Sequence, residues 1–278
     1  MDAGRLKKYL YIFFGILIMG FVVKEALSNG DFKVFSGAAK LLFSRKSPYN
    51  EWIFVTKDHY CLFFYSPLFA LILIPFCFLP EFIPNFLWLL ANVYFLYRIW
   101  ILLTKYIDIN LFSDKQLKCF LFICVILNLR FVLYNFGMIQ MTIFILWGSL
   151  ESLFLFEKKK IFAGGILLSI IINIKILPIV LIPYLIYRRE FKGFLCTIIF
   201  SIIFLFIPAI FFGWSFNIHL LQDWWKMINP SNANHIIETD IGLHSLSALI
   251  PMLLDHMNSI LQNHLSFNGN ETFSNTVR

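Results

Sequence analysis

Asp31 is the residue whose type and position most suggest chemistry, because it opens a helical pattern inside a polar loop between two apolar runs. Apolar residues recur after it at helical spacing, at Phe32, Phe35, Ala39 and Leu42, which predicts a short amphipathic helix at a membrane surface. Asp31 could cap this helix, which is worth about 1 kcal/mol. It could also be a general base that activates an acceptor hydroxyl. The two roles are compatible.

Lys175 is a charged residue within a long apolar run, Ile174-Lys175-Ile176-Leu177-Pro178. A charge inside a membrane span usually faces a cavity or a partner and marks a functional site. An anionic lipid phosphate would suit this lysine. The alternative is a lysine at a helix end whose ammonium reaches the membrane surface.

A second polar cluster consists of Asn128, Arg130, Asn135 and Gln140, which interrupt otherwise apolar sequence. Such side chains form hydrogen bonds between membrane helices, and they also bind substrates. The sequence leaves both interpretations open. Asn135 and Gln140 are candidate substrate contacts.

Two turn signals, Ser47-Pro48-Tyr49 and Tyr65-Ser66-Pro67, flank the second half of the loop. Proline fixes the backbone in turns, and tyrosine anchors chains at membrane interfaces. Pro67 is expected to start or kink a helix. Structural use is the default for both, and Tyr49 is also a candidate substrate contact.

The last polar loop contains His235, Glu238 and His244 among several tryptophans. These three could be read as metal ligands, but their spacing fits no tight metal motif. A sugar or phosphate contact from His235 or His244 is the better interpretation. Neither a metal nor another cofactor is therefore expected.

Composition indicates a membrane protein, since 59% of the 278 residues are hydrophobic and only 14% are charged. The net charge of +7 is better explained by topology and anionic lipid head groups than by nucleic acid. The five cysteines share no metal spacing and are interpreted as structural. Abundant Phe, Ile, Asn and Lys are typical of an AT-rich bacterial genome, so a bacterial inner membrane is the expected location.

The apolar runs predict an all-α fold, a polytopic transmembrane bundle over residues 1–254 with a polar tail over 255–278. Outer loops are expected at 24–60 and 213–250. The predicted spans are 9–23, 61–79, 85–104, 118–136, 138–156, 161–187 and 194–212.

Basic clusters at 157–160 and 188–192 should both be cytoplasmic, like the N-terminus, because positive charge favours that side. The segment between them must then cross and return, with its break at Lys175. Simple alternation of the spans fails by one crossing. The polar run 118–136 is therefore predicted to dip in and return on one side, which places the first loop, Gln140, Lys175 and the loop after 212 on the outer face.

In this order, the motifs resemble glycosyltransferase family 87, multispanning enzymes of the GT-C superfold. The matching residues are Asp31, Ser47-Pro48-Tyr49, Tyr65-Ser66-Pro67-Leu68-Phe69 with Pro75-Phe76, Asn135 with Gln140-Met141-Thr142, Ala163-Gly164-Gly165, the run 174–178 leading to Pro183-Tyr184 and Arg188-Arg189, and Gly242-Leu243-His244-Ser245-Leu246. The resemblance covers roughly residues 29–250.

The resemblance implies a polyprenyl-phosphate sugar donor, typically of mannose, a lipid or glycan acceptor, and inversion at the anomeric carbon. Asp31 would be the catalytic base. Lys175 would be a candidate for holding the lipid phosphate, with His235 or His244 as weaker candidates.

The sequence departs from the family pattern in three places. Ile139-Gln140 stands where the family has Gly-Gln, His244 stands where glutamine is usual, and the chain stops at residue 278 where such enzymes continue through further spans. The short chain leaves an inactive truncated glycosyltransferase as one alternative. A transporter or flippase of lipid-linked sugars is the other, because broken helices and an intramembrane lysine also occur there.

Overall fold

The computed structural model describes residues 3–28, 30–49, 51–56, 59–106 and 113–229. Two compact units divide the chain, Met1–Trp225 and Lys226–Arg278, and the account below concerns the first. The described elements are α1 (Ala3–Ala26), α2 (Phe32–Phe43), β1 (Ile53–Thr56), β2 (His59–Cys61), α3 (Pro67–Leu73), α4 (Phe82–Tyr106), α5 (Asp114–Gly137), α6 (Thr142–Glu157), α7 (Ile161–Ile174), α8 (Leu181–Tyr187), α9 (Phe191–Phe212) and α10 (Trp214–Ile228).

The predicted all-α helical bundle is confirmed. Among the described residues, four helices are long and apolar enough to cross a membrane, namely α1, α4, α5 and α9. The two strands form a small antiparallel hairpin in the first loop, with Ile53 paired to Cys61. The predicted amphipathic helix after Asp31 is present as α2, which buries Phe32, Phe35, Ala39 and Leu42.

The predicted span 61–79 is wrong, because this run does not form one long helix. It consists of β2, extended chain, the seven-residue helix α3 and a 3₁₀ turn at Ile74–Phe76. Pro67 begins α3, as expected, and Pro75 lies in the 3₁₀ turn. Both parts of this run pack on α2. Phe69 of α3 contacts Phe35 with ring centroids 5.3 Å apart, and Phe78, after the 3₁₀ turn, contacts Phe43 at 5.0 Å. The apolar residues of this run therefore pack on the first loop.

The predicted dip over 118–136 is also wrong, because α5 is one unbroken helix of 24 residues. At about 1.5 Å per residue it is long enough to cross a bilayer. Its polar residue Asn128 is satisfied within the helix, since Nδ2 donates to the Cys124 carbonyl at 2.8 Å. Of these two segments, α5 and not the run 61–79 is therefore long and apolar enough to cross a membrane.

Hydrogen bonds show which helix ends lie together. Asn85 near the start of α4 donates to the Ala26 carbonyl at 3.2 Å, and Ser28 donates to the Gly137 carbonyl at the end of α5 at 3.4 Å. At the opposite end of the bundle, Tyr106 at the end of α4 donates to Glu157 at 2.8 Å. The first loop and the α5–α6 turn therefore share one end, which is called the loop end below.

The predicted break at Lys175 is confirmed. α7 ends at Ile174, Lys175 is extended with φ −140°, and a 3₁₀ segment, Leu177–Val180, leads into α8. Lys159 and Glu190 form an ion pair of 2.9 Å, so the chain before α7 and after α8 lies at the same end. This basic end is opposite the loop end, as the two charge clusters predict.

Small and polar residues join α7 to α9. Ser169 donates to the Thr197 carbonyl at 2.7 Å, and Asn173 donates to the Ser201 carbonyl at 3.3 Å. Because both partners advance by four residues, the two helices run parallel. Gly165 permits the close approach, since an added Cβ would lie 2.9 Å from the Cβ of Cys196. Such hydrogen bonds contribute roughly 0.6 kcal/mol each in membranes.

Candidate active site

A cluster of aromatic rings supports the first loop beneath Asp31. Phe35 of α2 contacts Tyr65 with centroids 4.9 Å apart, and Phe63, Tyr65 and Phe69 pack against one another at 5.1 to 6.4 Å. Edge-to-face aromatic pairs contribute about 0.5–1.5 kcal/mol beyond their buried area. The start of α2 is therefore held on a rigid base although it lies in a long loop.

The backbone of Asp31 joins this loop to the α5–α6 turn. Its N–H donates to the Met138 carbonyl at 2.8 Å, and its own carbonyl accepts from the N–H of Val34 at 2.9 Å. Gly30 makes the approach possible, because a Cβ there would lie 2.7 Å from the Met138 oxygen. The side chain of Asp31 makes no capping hydrogen bond to α2. The capping role expected for this carboxylate is therefore wrong.

The carboxylate of Asp31 faces Gln140 instead. The Gln140 side chain acts on it as a hydrogen-bond donor, and Asn135 Nδ2 donates to Gln140 Oε1 at 3.5 Å. The Gln140 carbonyl accepts from Trp88 Nε1 at 3.2 Å, which fixes the backbone of this residue on α4. Asn135, Gln140 and the carboxylate of Asp31 are thus connected in series by side-chain hydrogen bonds.

The turn that presents Gln140 has an unusual backbone. Ile139 has φ +51°, a left-handed conformation that is rare for a β-branched side chain. Its side chain is fully buried and lies near Gly30. Burial of this kind can hold a conformation that costs about 1–3 kcal/mol, and such strain is common where a site must be positioned.

Burial sets the ionisation of Asp31. Desolvation raises the pKa of its carboxyl above the usual value, and the Gln140 hydrogen bond and the positive charge of Lys175 partly oppose this rise. Burial, with a smaller contribution from Asp31, raises the pKa of Tyr65, so this hydroxyl stays protonated. A carboxylate with a raised pKa is a better proton acceptor than an exposed one.

The positive charge of Lys175 acts on this carboxylate electrostatically, without an ion pair shorter than 4.0 Å among the described residues. Its side chain is exposed at the point where α7 ends, and the residues after it are apolar and exposed, including Leu177 at 68% and Val180 at 66%. A cation beside an exposed apolar face suits an anionic group attached to a hydrocarbon chain. The structure therefore brings together Asp31, Gln140, Asn135 and Lys175, all predicted from the sequence.

The sequence profile of glycosyltransferase family 87 matches residues 63–260, more than half of the chain. This chain belongs to glycosyltransferase family 87. Comparison with curated proteins and with solved structures gave no match.

The family match contains three of the clustered residues, Asn135, Gln140 and Lys175, and begins after Asp31. Asp31 is thus linked to the matched part of this glycosyltransferase by geometry, through Met138 and Gln140. The match also includes His235 and His244, which lie outside the described residues. No group of three His, Cys, Asp or Glu side chains that could hold a metal occurs in the part of the chain that the structure describes.

Tyr49, a predicted substrate contact, lies in the interior of the protein rather than on an accessible surface. It is fully buried, and its hydroxyl donates to the Tyr65 carbonyl at 2.9 Å. Its ring packs against Phe63 with centroids 5.8 Å apart. Tyr49 is thus in a position to hold the two turns of the first loop together, and its hydroxyl is already engaged.

Asp223 is the residue that sequence reasoning missed. It lies on α10, is only 3% exposed, and accepts from Ser47 Oγ at 2.8 Å while His219 Nδ1 lies 3.1 Å away. The neighbouring Trp224 donates from Nε1 to the Phe64 carbonyl at 3.1 Å. Two consecutive residues of α10 thereby hold the two turns of the first loop. The signal in the sequence was an acid beside two tryptophans on an amphipathic helix.

Proposed function

We propose that this glycosyltransferase transfers a hexose, with mannose as the first candidate, from a polyprenyl-phosphate donor to a lipid or glycan acceptor with inversion. The site would lie at the outer face of a bacterial cell membrane. Support comes from the family and from the position of the cluster at the end of the bundle opposite the basic turns.

The observation that carries the proposal is the direction of the Asp31 carboxylate. It makes no cap to its own helix; the Gln140 side chain donates a hydrogen bond to it, and the positive charge of Lys175 acts on it electrostatically. Asp31 is half-buried, and this desolvation disfavours the charged form of its carboxyl, which makes the carboxylate a better proton acceptor. General base catalysis is a use that this geometry supports.

In the proposed reaction, an acceptor hydroxyl donates its proton to Asp31 as the hydroxyl oxygen attacks the anomeric carbon. The new bond between this oxygen and the sugar forms as the bond between the anomeric carbon and the phosphate oxygen breaks. Both electrons of the broken bond leave with the lipid phosphate. Attack opposite to the leaving group inverts the configuration of the anomeric carbon.

Lys175 has the complementary role. The phosphate gains negative charge as it leaves, and a cation placed beforehand lowers the free energy of that transition state. The exposed apolar residues after Lys175 would accommodate the first part of the polyprenyl chain. Gln140 would hold Asp31 in orientation, and Asn135 would hold Gln140.

The experiment compares donors. Purified protein in lipid nanodiscs receives extracted membrane lipids and glycans as acceptors, with radiolabelled mannose on either polyprenyl phosphate or a nucleotide. Transfer from the lipid-linked donor alone, with an inverted linkage by NMR, is expected. Transfer from the nucleotide sugar alone, retention of configuration, or no transfer from either donor would contradict the proposal.

A further inference from the structure

The basic end of the bundle contains a cavity that the proposed reaction does not use. Its volume is about 450 Å³, and its lining comes from the last residues of α4 and α6: Lys105, Tyr106, Phe154, Glu157 and Lys158. It lies at the end of the bundle opposite Asp31, since Tyr106 and Glu157 join the distal ends of these helices. Its chemistry is therefore independent of the sugar-transfer site.

Two cations converge on one ring in this cavity. The ammonium of Lys105 lies 4.1 Å from the centroid of Phe154, and that of Lys158 lies 5.7 Å from the same centroid. Across the described ranges, neither lysine forms an ion pair with a carboxylate. Both ammonium groups belong to residues that line one cavity, so their like charges repel, and an anion bound in this cavity would reduce that cost.

Glu157, the acidic residue that lines the cavity, does not form an ion pair with Lys105 or Lys158. The carboxylate of Glu157 accepts a hydrogen bond from the hydroxyl of Tyr106 at 2.8 Å. Glu157 also lines a smaller adjoining cavity with Arg188, which adds a third cation to this rim. The other acid there, Glu190, is paired with Lys159 at 2.9 Å. Positive charge is thus in excess around the cavity.

Exposed apolar side chains also occur on α4 toward the end that lines the cavity. Trp100 and Leu103, in the last two turns of α4, are 42% and 45% exposed. A ligand with both a phosphate and a hydrocarbon chain could bind the lysines of the cavity through its phosphate and cover the apolar side chains of α4 with its hydrocarbon. Basic pockets between helices at this side of a membrane bind anionic lipid head groups.

We propose that this cavity binds the head group of an anionic phospholipid, with its phosphate held by Lys105 and Lys158. The acyl chains lie along the exposed surface of α4. This site is distinct from the one proposed for the polyprenyl-phosphate donor, since it lies at the other end of the bundle.

The test is native mass spectrometry of the full chain titrated with phosphatidylglycerol, and with phosphatidylcholine as the neutral lipid. The variant is Lys105→Gln with Lys158→Gln. The matched control is Lys160→Gln with Lys192→Gln, which removes the same charge from exposed positions at the same end. Two basic residues at about fivefold each give an expected loss of roughly 25-fold in affinity for phosphatidylglycerol in the variant only.

Three results would overturn the proposal. The first is equal affinity for phosphatidylglycerol in the wild type and the variant. The second is an equal loss in the control, which would show that general surface charge binds the lipid. The third is equal displacement by inorganic phosphate at the same concentration, which would show a soluble anion as the ligand. The unfolding temperature of each protein in neutral lipid verifies that the variants fold.

Discussion

The backbone N–H of Asp31 donates a hydrogen bond of 2.8 Å to the carbonyl of Met138. This bond joins the first loop to the turn between α5 and α6, two segments far apart in sequence. It also places the Asp31 carboxylate opposite Gln140, two residues beyond Met138. The candidate base is therefore oriented by a turn that belongs to the membrane helices.

Replacing Gln140 by Met should move the acid limb of the pH–rate profile to higher pH. The Gln140 hydrogen bond lowers the pKa of Asp31, so its loss raises that pKa, and the base is then protonated at higher pH. We expect a displacement of a few tenths to about one pH unit, measured as the pH dependence of kcat/KM. Gln222→Met, at an exposed position of α10, is the control and should leave the profile in place.

Lys175→Met should lower kcat/KM for the lipid-linked donor by roughly 10²-fold, because one electrostatic contact to the leaving phosphate is lost. Lys175→Arg keeps the charge and should retain most of the activity. Steady-state kinetics with varied donor measures both. Lys192→Met removes a charge at the basic end as a control, and an equal loss there would argue against a role specific to Lys175.

Ser47 and Asp223 should be energetically coupled. Their hydrogen bond of 2.8 Å connects the first loop to α10. In a double-mutant cycle with Ser47→Ala and Asp223→Ala, thermal unfolding should give a coupling free energy of about 1–2 kcal/mol. The pair Ser36→Ala and Asp223→Ala should be additive, since Ser36 donates to Lys33 within α2. Additivity in the first pair would show that this contact does not connect the two elements.

Gly165→Ala should destabilise the protein by roughly 1–3 kcal/mol, because the new methyl group meets Cys196 of α9. Gly15→Ala is the matched control in a helix, since nothing lies within 4 Å of a Cβ there, and it should be neutral or stabilising. Unfolding temperatures in detergent measure both. Similar values for the two variants would contradict the close packing of α7 on α9.

Local signals predicted several features correctly. The spacing of Phe32, Phe35, Ala39 and Leu42 predicted α2, because an amphipathic helix is recognisable from the periodicity of apolar residues in a short segment. The charge clusters and Pro178 predicted the break at Lys175 for the same reason. Asp31, Gln140, Asn135 and Lys175 were all named from the sequence, although their proximity was not derivable from spacing.

The errors came from tertiary context. The run 61–79 is apolar because it packs on the first loop, and hydrophobicity alone does not separate this from a lipid-facing span. A dip was predicted for α5 because alternation failed by one crossing and this run contains polar residues such as Asn128 and Arg130. The amide of Asn128 is satisfied by its own helix. The contacts of Asp31 with Met138 and of Asp223 with Ser47 connect distant segments, so no local pattern could predict them.

The most direct test of the central claim is sugar transfer by Asp31→Asn, measured together with donor binding. The account predicts that kcat falls by roughly 10²–10⁴-fold while the Kd for the lipid-linked donor changes little, because the amide keeps the shape and loses the base. Glu51→Gln, at an exposed acid of the same loop, should keep full activity. Full transfer by the folded Asp31→Asn protein would contradict the assignment of Asp31 as the base.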